Sequence, residues 1–529
     1  MHIKYKDILA LTALTFLLRI VTFYTPIMDV DESFFGVFAS VLQHGGVPYL
    51  DAMDNKPPLI FFLYQAVWQV FGENNWLALH IVTALFVIAT SIIVGRIGFL
   101  LLNETAGRTA MFFYAIITTL GEPKLLAANI NIFMMLPTSA SFLAFASAAK
   151  KEAWWKWPLC GAFAAIAALF RYQGAMIAIV IATCALIETP SPKIFLRRML
   201  LSTIGGLAVT ALVIGYIYHA GALDAFLLSF KLGLEHSKHG DVFAFWPRFL
   251  HKSGLFLLAT LPFVVLLCYG VAPPSTPLGA CFRVRQSVLN WRSLKAATPN
   301  ASNIYLLIWF ILSWVPVCYG RRFFSHYYIQ LMPSLALLAA CGYSYMQLSR
   351  AKARYSKLFV AAICVWTIFF FLIRFEDLGI RKLTGIHPAD WIEVSTKQCV
   401  VGQYIRTHTD ENDRIFVWGT ATSIYSCAKR LPANRFLWLD FLVNRPGGGN
   451  RFRIQNPLEQ IQHPINLEMW EMLLDELGKK KPVYIVDTSH SEFGGYKDFP
   501  IENYPVFKWM MDNGYKLETS VESARIYRR

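Results

Sequence analysis

The stretch DVDESFFGVFASVLQHGGVPYLDAMDNKPPLIFFLYQAVWQVFG, residues 29–72, sits in a loop (26–75) between two long apolar runs. Asp29, Asp31 and Glu32 follow the first run directly, and Asp51, Asp54, Asn55 and Lys56 precede Pro57 and Pro58. Phe34, Phe35, Phe38, Val41 and Leu42 recur at helical spacing, which predicts an amphipathic helix lying along a membrane surface. Pro is tolerated in a first helical turn, so Pro57 and Pro58 predict the start of a second such helix, with Phe61, Phe62, Tyr64, Val67 and Trp68 as its apolar part. Carboxylates held beside lipid headgroups are costly unless something uses them. The residues alone leave several uses open: a bound metal, a proton taken from a hydroxyl, or a pair with Lys56. They also leave open plain solvated charges with Asp31 as a helix cap.

The rest of the chain supplies the membrane. Its 529 residues are 55% hydrophobic and only 16% charged, with 49 Lys plus Arg against 34 Asp plus Glu. Soluble domains carry roughly a quarter charged residues, and a disordered or nucleic-acid-binding tail has few aromatics and clustered charge. Apolar runs occupy residues 8–25, 76–102, 109–120, 131–149, 158–170, 175–187, 199–218, 254–271, 304–319, 327–346 and 358–373. A span takes about 20 residues, so the reading is a polytopic α-helical membrane protein of about eleven spans, some extended by their flanks. Residues 1–373 hold 28 basic and 14 acidic side chains; residues 374–529 hold 21 and 20. This predicts a membrane domain, 1–373, followed by a soluble domain, 374–529.

Alternate loops separate the charge. One set holds 18 basic residues, from Lys4 to Lys357, against the four acids Asp7, Glu104, Glu152 and Glu188. Basic loops stay in the cytoplasm, so the N-terminus is expected inside, and the loop 26–75 and the C-terminal domain outside. The same rule accounts for the formal charge of +15 without a nucleic-acid partner. The first run is too long and too poor in small residues for a cleavable signal and reads as a retained anchor. Among nine cysteines there is no CxxC pair or metal-ligand spacing. Cys399 and Cys427 alone fall in the outer domain, where an oxidising compartment permits, but does not require, a disulfide between them.

The pattern of residues 29–72 resembles the first loop of the GT-C membrane glycosyltransferases, in particular the bacterial group of protein O-mannosyltransferases and lipid A aminoarabinose transferases. The resemblance rests on the acidic pair after the first span and on the Lys-Pro-Pro opening the next helix. The stretch GRRFFSHYYIQLMPSLALLAA, residues 320–340, is similar to their basic-aromatic loop, and RIFVWGTATSIYSCAKRLPANRF, residues 414–436, to the start of their outer domain. The resemblance implies transfer of one sugar from a polyprenyl-phosphate carrier to an envelope acceptor (lipid A, glycan, glycolipid or protein) at the outer face of the bacterial inner membrane, with inversion at the sugar carbon.

Carried over position by position, Asp31 is the implied catalytic base, with Glu32 supporting it and Asp29 as second choice. Lys56 is the implied phosphate contact. Arg321 and Arg322 add charge suited to phosphate, and His326 and Tyr327 follow them. Asp54 and Asn55 are candidates for sugar hydroxyls or a divalent cation. Relatives often carry an acid in the second outer loop; here that position is Asn131, with Glu122 nine residues earlier. This departure weakens the expectation of a bound divalent ion. Glu235, His236, Lys238 and His239 read as a polar loop rather than a zinc site.

Beyond residue 374, RIFVWG, FLWLD and PVYIVD read as buried strands, and residues 400–408, 458–477 and 505–513 as helices. Together they predict a small α/β domain with a mainly parallel sheet. PGGGN, residues 446–450, lacks the Gly-Lys-Ser/Thr ending of a phosphate loop. Two other classes stay open at this point: a secondary transporter, which repeats and midplane charges would mark, and a non-catalytic binder of lipid-linked sugar.

Overall fold

The computed structural model describes residues 3–151, 153–189, 191–238, 245–271, 301–348, 353–375, 390–443, 464–493 and 495–529. Cys281, His239, the basic cluster at 283–295 and the PGGGN segment lie outside these residues, as do the side chains of Glu235, His236 and Lys238. Helices α1 (Tyr5–Leu18), α2 (Val30–Gln43), α3 (Leu59–Phe71), α4 (Trp76–Leu101), α5 (Glu104–Ile117), α6 (Ile130–Lys151) and α7 (Lys156–Phe170) are followed by α8 (Met176–Glu188), α9 (Pro192–His219) and α10 (Leu223–Lys238). Next come α11 (Phe245–Ala259), α12 (Leu261–Val271), α13 (Ala301–Leu312), α14 (Trp314–Cys318), α15 (Met332–Leu348) and α16 (Ala353–Arg374). The C-terminal part adds α17 (Asp390–Thr407), α18 (Ser423–Ala428), α19 (Pro464–Lys480) and α20 (Pro505–Asp512).

The chain forms two compact units. One comprises residues 1–24, 80–213 and 240–376; the other comprises 25–79, 214–239 and 377–529. In the first unit every apolar run falls on a helix or a pair of helices. Among the described residues five helices are long and apolar enough to cross a bilayer, or six when α11 and α12, bent by 86°, count as one. The remaining apolar helices are shorter, so a count of eleven includes helices below the length that crosses a bilayer unaided. Small residues set the packing. A Cβ at Gly161 would lie 1.6 Å from Ser202 O, and one at Gly205 2.0 Å from Pro158 O, so only glycine lets α7 and α9 touch backbone to backbone.

In the second unit the loop helices form as their sequence demands. Asp29 takes the extended N-cap conformation of α2, and Glu32, three residues on, reaches back to accept the Met28 N–H at 2.7 Å. This is a variant of the capping box, shifted by one donor. Gly45 closes the turn after α2 at φ +85°. The aromatic stripe packs on α3: Phe38 stacks on Phe61 with centroids 3.7 Å apart, and Trp68 Nε1 donates to Gly36 O at 3.1 Å. The expectation of one-sided burial is not met, since residues 32–42 of α2 are all buried. The C-terminal segment covers the opposite face through Ser33–Thr422 (2.6 Å between hydroxyls) and Phe34–Trp438 (4.6 Å between rings).

The C-terminal sheet has the order β2-β1-β3-β5-β4, with β1 (Arg414–Trp418), β2 (Leu431–Pro432), β3 (Tyr484–Asp487), β4 (Lys516–Val521) and β5 (Ala524–Arg528). Strands β2, β1 and β3 run parallel; β5 and β4 form an antiparallel hairpin at the edge. The FLWLD stretch is not a strand. Phe436 makes a single bridge to Met53, and Leu439–Phe441 is a 3₁₀ turn. Phe436 and Leu439 serve instead as buried plugs in a core shared by Met53, Leu232, Phe416, Trp418 and Trp470. Cys399 on α17 and Cys427 on α18 are disulfide-bonded, with Cα atoms 5.2 Å apart. Gly402 makes room, because a Cβ there would come within 2.8 Å of Cys427 Cβ.

Candidate active site

The first-loop residues gather around Lys56. Its Nζ lies 2.9 Å from Asp54 Oδ2 and sits over three rings, 5.4 Å from Phe34, 5.3 Å from Phe35 and 5.2 Å from Trp438. Each ring over a cation contributes about 0.5–2 kcal/mol, more as water is excluded. The Lys56 side chain keeps 20% of its surface open, whereas Asp54 keeps 3%. Both Asp54 oxygens are engaged: Oδ1 accepts the Asn55 N–H at 2.8 Å and Oδ2 faces the ammonium. Burial pushes the Asp54 carboxyl above its usual range, Lys56 and the Asn55 N–H oppose the rise, and the charge of Asp31 adds to it. Asp31 therefore acts on the same electrostatic site as the Asp54–Lys56 pair.

The backbone that carries these groups is tightly held. Tyr49 donates its hydroxyl to Lys56 O at 2.8 Å, and Ser229 of α10 donates to Asp54 O. Met53 N–H bonds Arg435 O at 2.8 Å. Asn55 packs on Gly233, where a Cβ would lie 3.1 Å from its own Cβ. Asp29 and Glu32 are buried, and Asp31 is partly exposed.

The other unit holds a second polar group. Asn129 Oδ1 accepts from the Asn131 backbone and side chain at 2.9 and 2.8 Å. Asn131 Oδ1 in turn accepts from Arg171 at 3.0 Å, and Gln173 Oε1 accepts from Arg171 Nε at 2.9 Å. The guanidinium lies 4.3 Å over the Tyr327 ring. Among the described residues no carboxylate pairs with Arg171, so amides and a ring hold it in place and leave its charge intact. His326 is buried, 4.7 Å from Tyr327 edge-on and stacked with Phe324. Gly320, Arg321 and Phe323 all have positive φ, which folds the basic stretch into a tight turn; Arg321 and Arg322 stay partly exposed. Glu122 pairs with Lys252 at 3.1 Å. Burial works against its charge, but Ser325, Lys252 and Lys124 outweigh that and hold the carboxyl below its usual range.

The sequence reading missed four contributors. Phe34 and Phe35 read as a membrane-facing stripe and Trp438 as a strand residue, and Arg171 is not singled out as a site residue. The interrupted apolar patterns around Trp438 and Arg171 are the only local signals. A cavity of about 640 Å³ between α2 and the C-terminal segment, lined by Ser40, Glu73, Arg406, Tyr425 and Arg430 among others, contains none of the expected site residues.

Residues 55–219 match a family model described as dolichyl-phosphate-mannose-protein mannosyltransferase. The fold is similar to that of ArnT from Cupriavidus metallidurans, solved bound to undecaprenyl phosphate (TM-score 0.59, 12% identity, 98% of this chain and 97% of that one). It is also similar to the Archaeoglobus fulgidus oligosaccharyltransferase, solved with a tethered acceptor peptide (TM-score 0.52, 14% identity, 91% of this chain and 68% of that one). A search of curated protein sequences finds no match. The chain is a multi-pass membrane protein with the GT-C glycosyltransferase fold.

Proposed function

We propose that this chain is a glycosyltransferase that moves one sugar, a hexose or pentose, from a polyprenyl-phosphate carrier to an envelope acceptor at the outer face of the bacterial inner membrane. The observation that carries the reading is the caged Lys56, a partly open cation set by three rings and Asp54 in the same electrostatic site as Asp31. The separation of basic loops supports the orientation. So does the Cys399–Cys427 disulfide, a bond that persists in oxidising compartments.

In this mechanism an acceptor hydroxyl attacks the anomeric carbon from the face opposite the phosphate. Asp31 takes the hydroxyl proton as the new bond forms. The carbon–oxygen bond to phosphate breaks, and polyprenyl phosphate leaves with the electron pair. Lys56 is the implied contact for its charge, Arg321 and Arg322 are further candidates, and Arg171 over Tyr327 is another, since no carboxylate pairs with it among the described residues. Asp54 and Asn55 position Lys56 and face the sugar. Glu32 fixes the loop at Asp31 by accepting the Met28 N–H, Asp29 is the second candidate base, and Glu122, Asn131 and His326 are candidates for binding sugar or acceptor. Asn131 is an amide where relatives often carry an acid, which makes that position a weaker ligand for a divalent ion. Residues 1–373 hold the chemistry except for Trp438, which residues 374–529 supply.

The test is mass spectrometry of envelope glycolipids and glycans from cells with the gene, without it, and with Asp31→Asn. A single-sugar addition present only with the wild-type gene is expected. An unchanged profile on deletion removes the transferase reading; addition that survives Asp31→Asn removes Asp31 as base.

A further inference from the structure

Away from that site, β3 ends on a carboxylate that its surroundings leave incomplete. Asp487 is fully buried between Trp418 of β1 and Arg525 of β5. Its Oδ1 accepts the Ser489 N–H at 2.9 Å, but its buried Oδ2 has no hydrogen-bond partner among the described residues. A buried carboxylate oxygen left that way is strongly disfavoured. What Oδ2 does face is His490 Nε2, at 3.8 Å, beyond hydrogen-bond reach. The same Nε2 lies 3.3 Å from Glu502 Oε1. One atom from each of the three residues falls within 4.8 Å of the others, the one such grouping among the described residues.

We infer that Asp487, His490 and Glu502 form a site for a divalent transition metal, of which zinc fits best. Three ligand atoms about 2.1 Å from a tetrahedral zinc stand roughly 3.4 Å apart, so the triad needs only a small contraction. One imidazole with two carboxylates is a borderline donor set: magnesium and calcium prefer oxygen alone, whereas zinc takes nitrogen and oxygen together. The charge agrees. Two carboxylates against Arg525 leave one net negative charge for the cation to meet. Arg525 holds Glu502 Oε1 from outside at 2.6 Å, the kind of outer partner that fixes a ligating carboxylate. His490 and Glu502 are 38% and 33% exposed, which gives the ion a path and a position for water. The site lies at the carboxyl ends of the parallel strands β1 and β3, where open α/β sheets place their ligands. A metal there ties two turns, around His490 and Glu502, to the end of β3. This inference is independent of the transferase reading.

The test uses the full chain in detergent, stripped with a chelator and titrated with zinc chloride alone. Bound zinc is counted by elemental analysis, and unfolding is followed by tryptophan fluorescence. Wild type is expected to bind one more zinc per chain than His490→Gln or Asp487→Asn, and to gain several degrees of unfolding temperature that neither variant gains. His490 is partly exposed, so its variant keeps the fold even if Asp487→Asn does not. Equal zinc binding by wild type and His490→Gln overturns the site, as does zinc binding that leaves the unfolding temperatures of wild type and His490→Gln equally shifted.

Discussion

Trp438 stands with its ring centre 5.2 Å from the Nζ of Lys56, so the indole of a late, irregular segment holds the cation of the first loop. Removing it takes away one wall of the cage and admits water to the ammonium. Trp438→Ala is expected to raise the KM for the lipid-linked donor about 5- to 30-fold, which corresponds to about 1–2 kcal/mol. Trp438→Phe keeps a ring and should lie much nearer wild type. Steady-state kinetics on the two variants checks this, and an Ala variant with wild-type KM refutes the role of the cage.

Asp31 is asked to move a proton, so its loss should fall on the chemical step. Asp31→Asn is expected to lower kcat about 10²- to 10⁴-fold while retention of the polyprenyl phosphate on the purified protein stays unchanged. Loss of lipid binding together with activity would instead assign Asp31 to the fold of the loop.

Asn131 gives a charge test in the other unit. Asn131→Asp places a carboxylate where Asn131 Oδ1 now accepts from Arg171 at 3.0 Å. The new pair neutralises the guanidinium, so donor affinity should fall about tenfold, and Arg171→Gln should fall at least as far. Donor titrations of both variants decide it; an Asn131→Asp protein that binds donor more tightly removes Arg171 from phosphate binding.

Glu518 links three elements of the C-terminal domain by accepting from Tyr404 and Tyr484 hydroxyls at 2.9 and 2.8 Å. Burial is the largest single influence and opposes its charge, but those hydroxyls and Arg528 together outweigh it and hold the carboxyl below the usual range. The folded state therefore binds this proton less readily than the unfolded state. The stabilisation is complete above the ordinary Glu range, near pH 4.5, and is lost as pH falls through the lowered value. Glu518→Gln should unfold at a lower temperature than wild type at pH 7, with the gap closing toward pH 3. Thermal unfolding across that range measures it.

The Cys399–Cys427 bond closes a loop of sequence separation 28. Replacing both by Ser should cost the domain about 2–4 kcal/mol, chiefly by freeing the unfolded chain. Denaturant unfolding of the pair variant gives the value, and a mass shift of reduced against non-reduced peptides confirms the bond.

The sequence was most legible where burial has a period. The eleven apolar runs land on helices, and RIFVWG and PVYIVD land on β1 and β3, because both elements are buried and short apolar runs between turns read as strands. FLWLD fits the same description and is not a strand; an apolar plug and a strand share one pattern when nothing sets the backbone. The hairpin of β4 and β5 went unread because β4 lies at the sheet edge and is largely exposed, so it shows no apolar face. At the site, Asp31 and Lys56 stood out by type and spacing. Arg171 and Trp438 did not, since what makes them matter is a partner distant in sequence.

The bridge from Met53 to Phe436, with the bond of Met53 N–H to Arg435 O, bears on how chains of this fold are recombined. A chimaera that exchanges the C-terminal part for a homologue's would also change the wall behind Lys56. Grafts that carry loop 26–75 along with its own partner segment should stay active, whereas exchanges at the last helix of the membrane part should yield inserted but silent proteins.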